Sequence, residues 1–286
     1  MMALQYVLCR ILLKRLIMSN AEDYYNKTSQ EYVRKWRDIK TDRNPSFYFR
    51  RKIIQTAVDM TRIGAGQKVI EIGCGTGLVL KKILEHTRPV YGVDISHQML
   101  ERVRDSVLRD YRVEIVPTFQ PIPSNSESDV FLTTGDFSHL TLPTGYFDRI
   151  MSVEVLRYIA DVRPCLSAVR DIMKPDALFT FTVTNIFSSS LFPVKYKIRQ
   201  ALGLVKSTEL HQYFVTESGI RRQLVRLGFD MVGFHRVRPI SMFSLLKLLM
   251  RTPRQVQFFD HLDAIASGVP ILRNLCDTFI ITVKKR

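Results

Sequence analysis

The chain has few cysteines and no residue pattern typical of a metal site. Its four cysteines, Cys9, Cys74, Cys165 and Cys276, are widely separated in 286 residues and form no CxxC pair. The six histidines form no cluster at metal-ligand spacing either. These absences argue against a zinc-finger-like site and a disulfide framework. We therefore expect a reduced compartment and no metal cofactor.

Long apolar runs are also absent from the sequence. Residues 1–18 contain no acid and are mostly Leu, Ile, Val and Met, but three cations interrupt them. The uncharged run at residues 1–9 is too short to cross a bilayer, and the charges follow it, unlike those of a secretory signal. The segment is interpreted as an amphipathic leader. It either lies on a membrane surface, acts like a transit peptide, or extends upstream of a start at Met18.

Acidic residues are scarce towards both ends of the chain. Residues 1–60 carry 12 Lys and Arg against 6 Asp and Glu, and residues 186–286 carry 16 against 6. Residues 61–185, in contrast, are balanced at 14 against 15. Basic segments thus flank a neutral core, which favours an anionic acceptor or an anionic surface as partner. The alternative is that the flanking cations serve only solubility.

An apolar strand at residues 69–72 leads directly into a glycine-rich turn. Glycines at positions 73, 75 and 77 allow a tight turn and let a ligand lie against backbone amides. A dinucleotide fingerprint would need glycine at position 78, where this chain has Leu78. The GxGxG pattern, with Glu71 two residues before it, resembles motif I of the class I S-adenosylmethionine-dependent methyltransferases.

Two acids follow this turn in the order that the resemblance leads us to expect. Asp94 ends a predicted second strand, 21 residues after Gly73, and a carboxylate there can accept hydrogen bonds from both ribose hydroxyls. Asp136 follows a third apolar stretch. The resemblance implies that it binds the adenine amino group, while the amide of Phe137 binds a ring nitrogen. The alternatives are a helix N-cap for Asp94 and a turn residue for Asp136.

The resemblance covers residues 65–237 and implies S-adenosylmethionine as the cofactor. It also implies an α/β Rossmann-like fold with a seven-stranded, mostly parallel sheet, one antiparallel strand in an edge hairpin, helices on both faces, and helical lid and cap insertions. The residues expected to bind the cofactor are Glu71, Gly73, Cys74, Gly75, Gly77, Asp94, Ile95, Met99, Asp136, Phe137, Val153 and Glu154.

The predicted domain limits place a helical lid at residues 19–60 and the methyltransferase domain at residues 61–286, with cap insertions at about 184–215 and 238–276. Ser19 and Glu22 have capping-box spacing, so the lid helix is expected to begin there. Its aromatic residues, Tyr24, Tyr25, Tyr32 and Trp36, either close over the cofactor or pack in the core. The expected lid and substrate residues are Tyr24, Tyr25, Trp36, Tyr158 and Tyr213.

Both cap insertions leave strands that end on the cofactor side, so we expect them above the mouth of the active site. The second contains residues 241–251, which are apolar with two cations and suit either a membrane-facing helix or a cap on the core. Ahead of these insertions, the pattern predicts a turn at Met173–Asp176 followed by a strand at Ala177–Val183.

The predicted chemistry is in-line methyl transfer to oxygen, nitrogen or carbon of a small-molecule or lipid-like acceptor, which can be anionic. Such a transfer depends mostly on positioning. A hydroxyl acceptor also needs a base, for which His211 is the candidate because histidine titrates near neutral pH. We expect the protein in the cytoplasm, either free or at the surface of an anionic membrane.

Three alternatives remain: nucleic-acid methylation, protein methylation and an inactive cofactor-binding scaffold. Residues 152–155 lack the Asn/Asp-Pro-Pro-aromatic tetrad typical of enzymes that methylate amino groups of nucleic acids. Pro164 and Cys165 resemble a cytosine-methylating dipeptide but lie about ten residues beyond the expected strand, at a helix start where proline is favoured. Nucleic acid is therefore not the expected substrate.

Overall fold

The computed structural model describes residues 21–34, 45–118, 127–140, 142–205, 210–237 and 252–286. In this part of the chain, eight strands form one sheet. The strands are β1 (Val69–Ile72), β2 (Val90–Asp94), β3 (Val113–Ile115), β4 (Val130–Thr134), β5 (Phe147–Ser152), β6 (Met173–Thr184), β7 (Phe229–Val237) and β8 (Thr278–Lys285). The helices are α1 (residues 21–34), α2 (Pro45–Thr61), α3 (Leu78–Ile83), α4 (His97–Asp105), α5 (Val162–Ile172), α6 (Phe192–Ala201), α7 (Glu217–Arg226), α8 (Pro253–Ser267) and α9 (Pro270–Arg273).

The strands lie in the order β3-β4-β2-β1-β5-β6-β8-β7. All neighbours from β3 to β6 are parallel, and β8 runs antiparallel to both β6 and β7. The predicted α/β fold, with a mostly parallel sheet and one antiparallel strand, is confirmed. The chain reverses its direction of travel across the sheet at β1, between β2 and β5. Ligands of open α/β sheets bind outside the carboxyl ends of the strands at such a switch point.

Helices cover both faces of the sheet because side chains alternate along each buried strand. Ile70 and Ile72 of β1 pack on one side with α5 and α7. Val69 packs on the other side with α2, α3 and α4. Glu71 shares this second face by alternation, and this places a carboxylate inside the apolar layer next to the glycine turn.

The sheet differs from the expected seven strands by one. Residues Val113–Ile115 form an additional edge strand that pairs in parallel with β4. The strand has only three residues and is incompletely buried, so its pattern does not separate it from a loop. The predicted turn at Met173–Asp176 is wrong, because these residues belong to β6. Phe147 pairs with Met173, and a register shift after Phe147 accommodates the irregular start of this strand.

Both insertions leave the sheet at the same edge, as the topology predicts. The last residues of β6 and β7, Thr184 and Val237, each pair with Thr278 of β8. The first insertion contains α6, and the second contains α8 and α9. Helix α8 packs on α2 through Phe259 against Phe49. The segment 241–251 lies outside the described residues.

No helix in the described part of the chain is long and apolar enough to cross a bilayer. The predicted leader at residues 1–18 and the capping pair that begins at Ser19 involve residues outside the described ranges. The domain limits stay predictions.

Candidate functional site

The glycine turn after β1 is held in left-handed backbone conformations. Gly73, Gly75 and Gly77 have φ angles of 72°, 45° and 71°. The amides of Gly73 and Cys74 both donate to the carbonyl of Val93, at 2.7 and 3.0 Å, which fixes the turn beside the end of β2. These contacts place the turn at the switch point of the sheet.

The three glycines serve different purposes. A Cβ atom on Gly73 would lie 2.3 Å from Cγ2 of Val155, and one on Gly77 would lie 2.5 Å from Cγ1 of Val103. Both positions therefore need glycine for packing. A Cβ on Gly75 would meet no atom closer than 3.8 Å, and Gly75 borders the cleft. Gly75 is thus the position where a ligand can approach the backbone.

Asp94, at the end of β2, is fixed by two backbone amides. Its Oδ2 accepts from Gly75 at 2.8 Å and its Oδ1 accepts from Ser96 at 3.0 Å. The N-cap of α4 is Ser96, whose hydroxyl accepts from Met99, so Asp94 does not have the alternative capping role. A carboxylate has about four acceptor sites, and two are left for the hydroxyls of a ligand.

Burial raises the pKa of Asp94, and the amides of Ser96 and Gly75 oppose that rise. Only 8 % of the residue is exposed. A buried carboxylate is stabilised chiefly by hydrogen bonds, so its ionised form gains from additional donors. Hydrogen bonds from the hydroxyl groups of a ligand would therefore stabilise the ionised carboxylate of Asp94.

Glu71 is buried and borders the same cleft. Its Oε2 has no hydrogen-bond partner in the part of the chain that the structure describes. Burial raises the pKa of Glu71, and the charge of Asp94 raises it further, while Arg50 lowers it. Buried polar atoms are nearly always hydrogen-bonded in native proteins. The unsatisfied oxygen is therefore available to a polar group that enters the cleft.

The third predicted position, Asp136, lies at the end of β4. Its side chain accepts from the amide of Ser138 at 3.0 Å and contacts His139. It caps the short 3₁₀ turn Phe137–His139, so the expected turn role is present in addition to its place on the cleft. The amide of Gly135 donates to the carbonyl of Asp94 at 2.8 Å, which joins the two acidic positions.

Glu154, beyond β5, has a left-handed backbone with φ of 64°. Its amide donates to Thr182 at 2.7 Å, and its carboxylate accepts from Arg157 at 2.8 Å. Arg157 also donates to Gln212 at 2.7 Å. A glutamate in this conformation is strained and is held only by such contacts. The network connects the cleft wall to the end of the first insertion.

Arg157 is held in its charged form by its surroundings. Burial alone would lower its pKa, but the Glu154 carboxylate and the neighbouring Tyr158 raise it. The buried Nε of Arg157 has no hydrogen-bond partner among the described residues. The role of Arg157 was not predicted from the sequence, because its partner Gln212 is 55 residues away and no local pattern connects the two.

An aromatic wall, formed by Tyr25, Tyr32 and Tyr158, borders the cleft. Tyr25 of α1 packs edge-to-face against Tyr32, with ring centroids 5.8 Å apart, and against Tyr158, at 6.4 Å. Burial raises the pKa of both Tyr25 and Tyr158, so both phenols stay protonated at neutral pH. Tyr25 and Tyr32 border the cleft and also pack against the core, so the packing role is present and the lid role stays a prediction.

Eleven of the twelve predicted cofactor residues border one cleft, which encloses about 1100 Å³ including its open mouth. Gly77, the twelfth, is not among the lining residues. Of the lid and substrate residues, Tyr25 and Tyr158 border it, whereas Tyr24 and Tyr213 do not, and Trp36 lies outside the described residues. Tyr32, named with the lid aromatics, also borders the cleft. The lining residues that were not predicted are Ala21, Arg50, Ile54, Ile72, Thr76, Leu78, Val79, Val93, Gly135, Ser138, Val155, Ile159 and Cys165.

The lining residues of α1 and α2 differ in how well the sequence predicts their place on the cleft. Tyr32 follows Tyr25 by seven residues, a helical repeat that puts both rings on one face of α1. Arg50 and Ile54 come from α2, and nothing in their local sequence connects that helix with the turn 20 residues later. Their place on the cleft follows only from the packing of α2 over the sheet.

His211 lies at the end of the first insertion and does not border the cleft. Its Nδ1 is 3.4 Å from the hydroxyl of Tyr196. The neighbouring amide of Tyr213 donates to the carbonyl of Arg157 at 2.7 Å, so this loop is tied to the cleft wall. The role of His211 as a base stays a prediction.

Cys165 borders the cleft, but burial and the charge of Asp136 raise its pKa to about 12. The residue is therefore a thiol at neutral pH and a poor nucleophile. No group of three His, Cys, Asp or Glu residues that could hold a metal ion occurs in the ranges that the structure describes.

Comparison with known proteins identifies relatives of this chain. A family model described as a methyltransferase domain matches residues 32–233. A ubiquinone biosynthesis O-methyltransferase from Azoarcus is 25% identical over 170 residues, which are 59% of this chain and 66% of that protein. A malonyl-[acyl-carrier protein] O-methyltransferase from Geobacter sulfurreducens is 23% identical over 63% of this chain and 65% of its own length. The chain thus spans just under two thirds of the length of these two relatives.

A solved structure has a similar fold. The structure of phosphoethanolamine N-methyltransferase 2 from Haemonchus contortus, in complex with S-adenosyl-L-methionine, matches with a TM-score of 0.60 and 14% identity. The match covers 92% of this chain and 59% of the other. At this identity, the similarity concerns the fold alone.

Proposed function

This chain belongs to the methyltransferase-domain family of class I, S-adenosylmethionine-dependent enzymes, and on that premise we propose that it transfers a methyl group to a small-molecule or lipid-like acceptor. The observation that carries the proposal is the meeting of the Gly75 amide, the Asp94 carboxylate and the unsatisfied Oε2 of Glu71 in one cleft at the switch point. S-adenosylmethionine, when bound, supplies a methyl group on a positively charged sulfur.

The residues present suit this cofactor at each part of the cleft. Asp94 offers two acceptor sites for the ribose hydroxyls, and Asp136 with the amide of Phe137 offers an acceptor and a donor for adenine. Glu71 offers an unsatisfied acceptor, while Glu154 and Val153 border the side that we assign to the methionine group. We assign the remaining predicted positions, Cys74, Ile95 and Met99, to apolar and backbone contacts with the nucleoside.

The acceptor is proposed to be largely apolar. The aromatic wall (Tyr25, Tyr32 and Tyr158) and Ile159 border the cleft. These side chains offer aromatic and aliphatic surface with few polar atoms. The name of one relative concerns ubiquinone biosynthesis, which is consistent with an apolar acceptor. We propose that the wall excludes water and orients the acceptor atom in line with the methyl group, since positioning contributes most to such a displacement.

The first test measures cofactor binding and turnover together. Calorimetric titration of the purified chain with S-adenosylmethionine is expected to show one site per chain. Mass spectrometry of reactions with phenolic, quinol and fatty-acyl acceptors is then expected to show a product heavier by one methyl group. Absence of cofactor binding would refute the family-based assignment. Binding without methylation of any acceptor in a broad screen would favour the scaffold alternative.

For a hydroxyl acceptor, the predicted base is His211. The His211→Gln variant is expected to lower kcat about a hundredfold, because general bases contribute roughly that much or more. Its calorimetric affinity for S-adenosylmethionine should be unchanged, since the side chain does not border the cleft. The matched control is His86→Gln, an exposed histidine that does not border the cleft. Equal kcat values for His211→Gln and wild type would exclude His211 as the base.

A further inference from the structure

The outward face of α6 is apolar. Pro193 and Tyr196 are the buried residues of this helix and attach it to the domain. Val194, Ile198 and Leu202 follow one another at intervals of four residues on the opposite side, with 46%, 54% and 66% of their surface exposed. A helix packed on a globular domain normally has polar residues on its outer side. Helix α6 is therefore apolar towards the core and also towards the outside.

Further exposed apolar residues extend this stripe at both ends of the helix. Phe187 and Leu191 precede it, with 61% and 53% exposure, and Leu204 follows it, with 58%. Leu191 is also left-handed, with φ of 55°, a conformation that leucine rarely adopts. We call these six residues the α6 surface: Phe187, Leu191, Val194, Ile198, Leu202 and Leu204. Apolar groups exposed in this number usually mark a binding surface.

The charged residues of the segment that carries the α6 surface are all positive. Lys195, Lys197 and Arg199 flank the stripe, and residues 186–208 contain no Asp or Glu. By helical geometry Lys195 and Lys197 fall on the two sides of the Val194–Leu202 row. An apolar stripe with cations on both sides is the pattern of helices that lie in the plane of an anionic membrane. A second copy of this chain would place like charges opposite one another, which disfavours that occupant.

The α6 surface is also part of the insertion that adjoins the cleft. Helix α6 follows β6, whose end lies at the carboxyl edge of the sheet. The insertion returns through Gln212 and Tyr213, which bond to Arg157 on the cleft wall. We propose that the α6 surface docks on the headgroup and upper acyl region of an anionic lipid bilayer. This proposal does not depend on the identity of the methyl acceptor.

The test is co-sedimentation of the full chain with vesicles of phosphatidylcholine alone or with phosphatidylglycerol. Wild type is expected to bind the anionic vesicles and to dissociate as salt is raised. Ile198→Asp is expected to weaken binding about tenfold, because it places a charge within the apolar stripe. The matched control is Val225→Asp on α7, at 52% exposure and likewise in the last turn of its helix. It is expected to bind as wild type does.

A second pair of variants tests the charges. Lys195→Gln with Lys197→Gln is expected to weaken binding to anionic vesicles about tenfold, since each cation near the surface adds to the attraction. All variants should keep the melting temperature and the cofactor affinity of wild type, because these side chains are exposed and lie outside the cleft. That result would show that the changes act on the surface and not on folding.

Four outcomes would overturn the proposal. Wild type could fail to bind anionic vesicles, or Ile198→Asp could bind as well as wild type. Sedimentation velocity could show a dimer that Ile198→Asp dissociates, which would make the surface a contact between copies. Finally, a melting temperature lowered by Ile198→Asp and not by Val225→Asp would assign the stripe to a contact within the chain.

Discussion

The Gly73→Ala variant is expected to lose most of its cofactor affinity and part of its stability. The φ angle of 72° costs alanine about 1–2 kcal/mol. The added methyl would also lie 2.3 Å from Cγ2 of Val155, and such overpacking costs roughly 1–3 kcal/mol more. Because valine is branched at Cβ, its χ1 angle is stiff, and moving its methyl groups aside costs energy. We expect the turn to shift and S-adenosylmethionine to bind about a hundredfold more weakly, a change that corresponds to roughly 2.7 kcal/mol.

The matched control is Gly66→Ala. Its φ angle of 74° is almost the same, but a Cβ there would meet no atom within 4 Å. This variant should lose only the conformational term, about 1–2 kcal/mol in the free energy of unfolding, and should keep its cofactor affinity. Chemical denaturation and calorimetric titration of both variants separate the two effects. Similar losses of affinity for the two variants would show that contact with Val155 does not matter.

A double variant tests the contact directly. Val155→Ala removes both methyl groups that crowd a Cβ at position 73, at 2.3 and 2.8 Å, and leaves the valine Cβ at 3.1 Å. Gly73→Ala combined with Val155→Ala is therefore expected to recover most of the affinity lost by Gly73→Ala alone. Contacting residues couple by about 0.5–3 kcal/mol in such cycles. Purely additive effects of the two changes would contradict the packing explanation.

The sheet and the cleft were predictable where periodicity and order along the chain determine them. The apolar pattern predicted a strand at residues 69–72, and β1 (Val69–Ile72) has the same limits. The glycine turn and the two acids that follow it lie at the ends of strands β1, β2 and β4, and parallel strands bring those ends to one edge. The order of these motifs therefore predicted their convergence.

The rest could not be predicted because it depends on contacts between distant segments. Arg157 joins Glu154 to Gln212, and only tertiary packing brings residues 154 and 212 together. The edge strand Val113–Ile115 has three residues, too few for periodicity to be detected. The start of β6 at Met173 depends on a pairing with Phe147 that overrides the turn preference of Pro175. Local pattern and tertiary context disagree at all three places.

The Asp94→Asn variant is expected to lose S-adenosylmethionine binding almost completely. The side chain keeps its shape, but its NH₂ group must face one of the two backbone amides, Gly75 or Ser96, that now donate to the carboxylate. It also replaces charged acceptors for two ribose hydroxyls, each worth about 1.5–3 kcal/mol. The sum corresponds to a loss of roughly two to four orders of magnitude in affinity. Calorimetry measures this loss directly.

Asp129→Asn is the matched control. Asp129 also accepts a backbone amide, that of Arg112 at 2.9 Å, and it is largely buried, but it precedes β4 at the opposite edge of the sheet. Its replacement removes the same charge and a similar hydrogen bond without touching the cleft. Cofactor affinity within about twofold of wild type is expected for Asp129→Asn, which is a difference below 0.5 kcal/mol. A comparable loss in both variants would mean that net charge, not Asp94 itself, governs binding.

The pH dependence of binding separates this role from a structural one. Burial raises the pKa of Asp94, so its carboxylate takes up a proton at a higher pH than an exposed aspartate does. Ionised Asp94 accepts the ribose hydroxyls, and the affinity for the cofactor should therefore fall as pH decreases through this raised pKa.

Protonation of Asp94 has the opposite effect on folding stability. Because the pKa is raised in the folded state, the contribution of Asp94 to stability is present below its unfolded pKa and is lost as pH rises through the folded pKa. Acidification should thus weaken cofactor binding through Asp94, whereas protonation of this group does not destabilise the fold. Asp94→Asn should flatten the pH profile of affinity and leave the part that belongs to Glu71. An unchanged profile would show that Asp94 does not contact the cofactor in its ionised form.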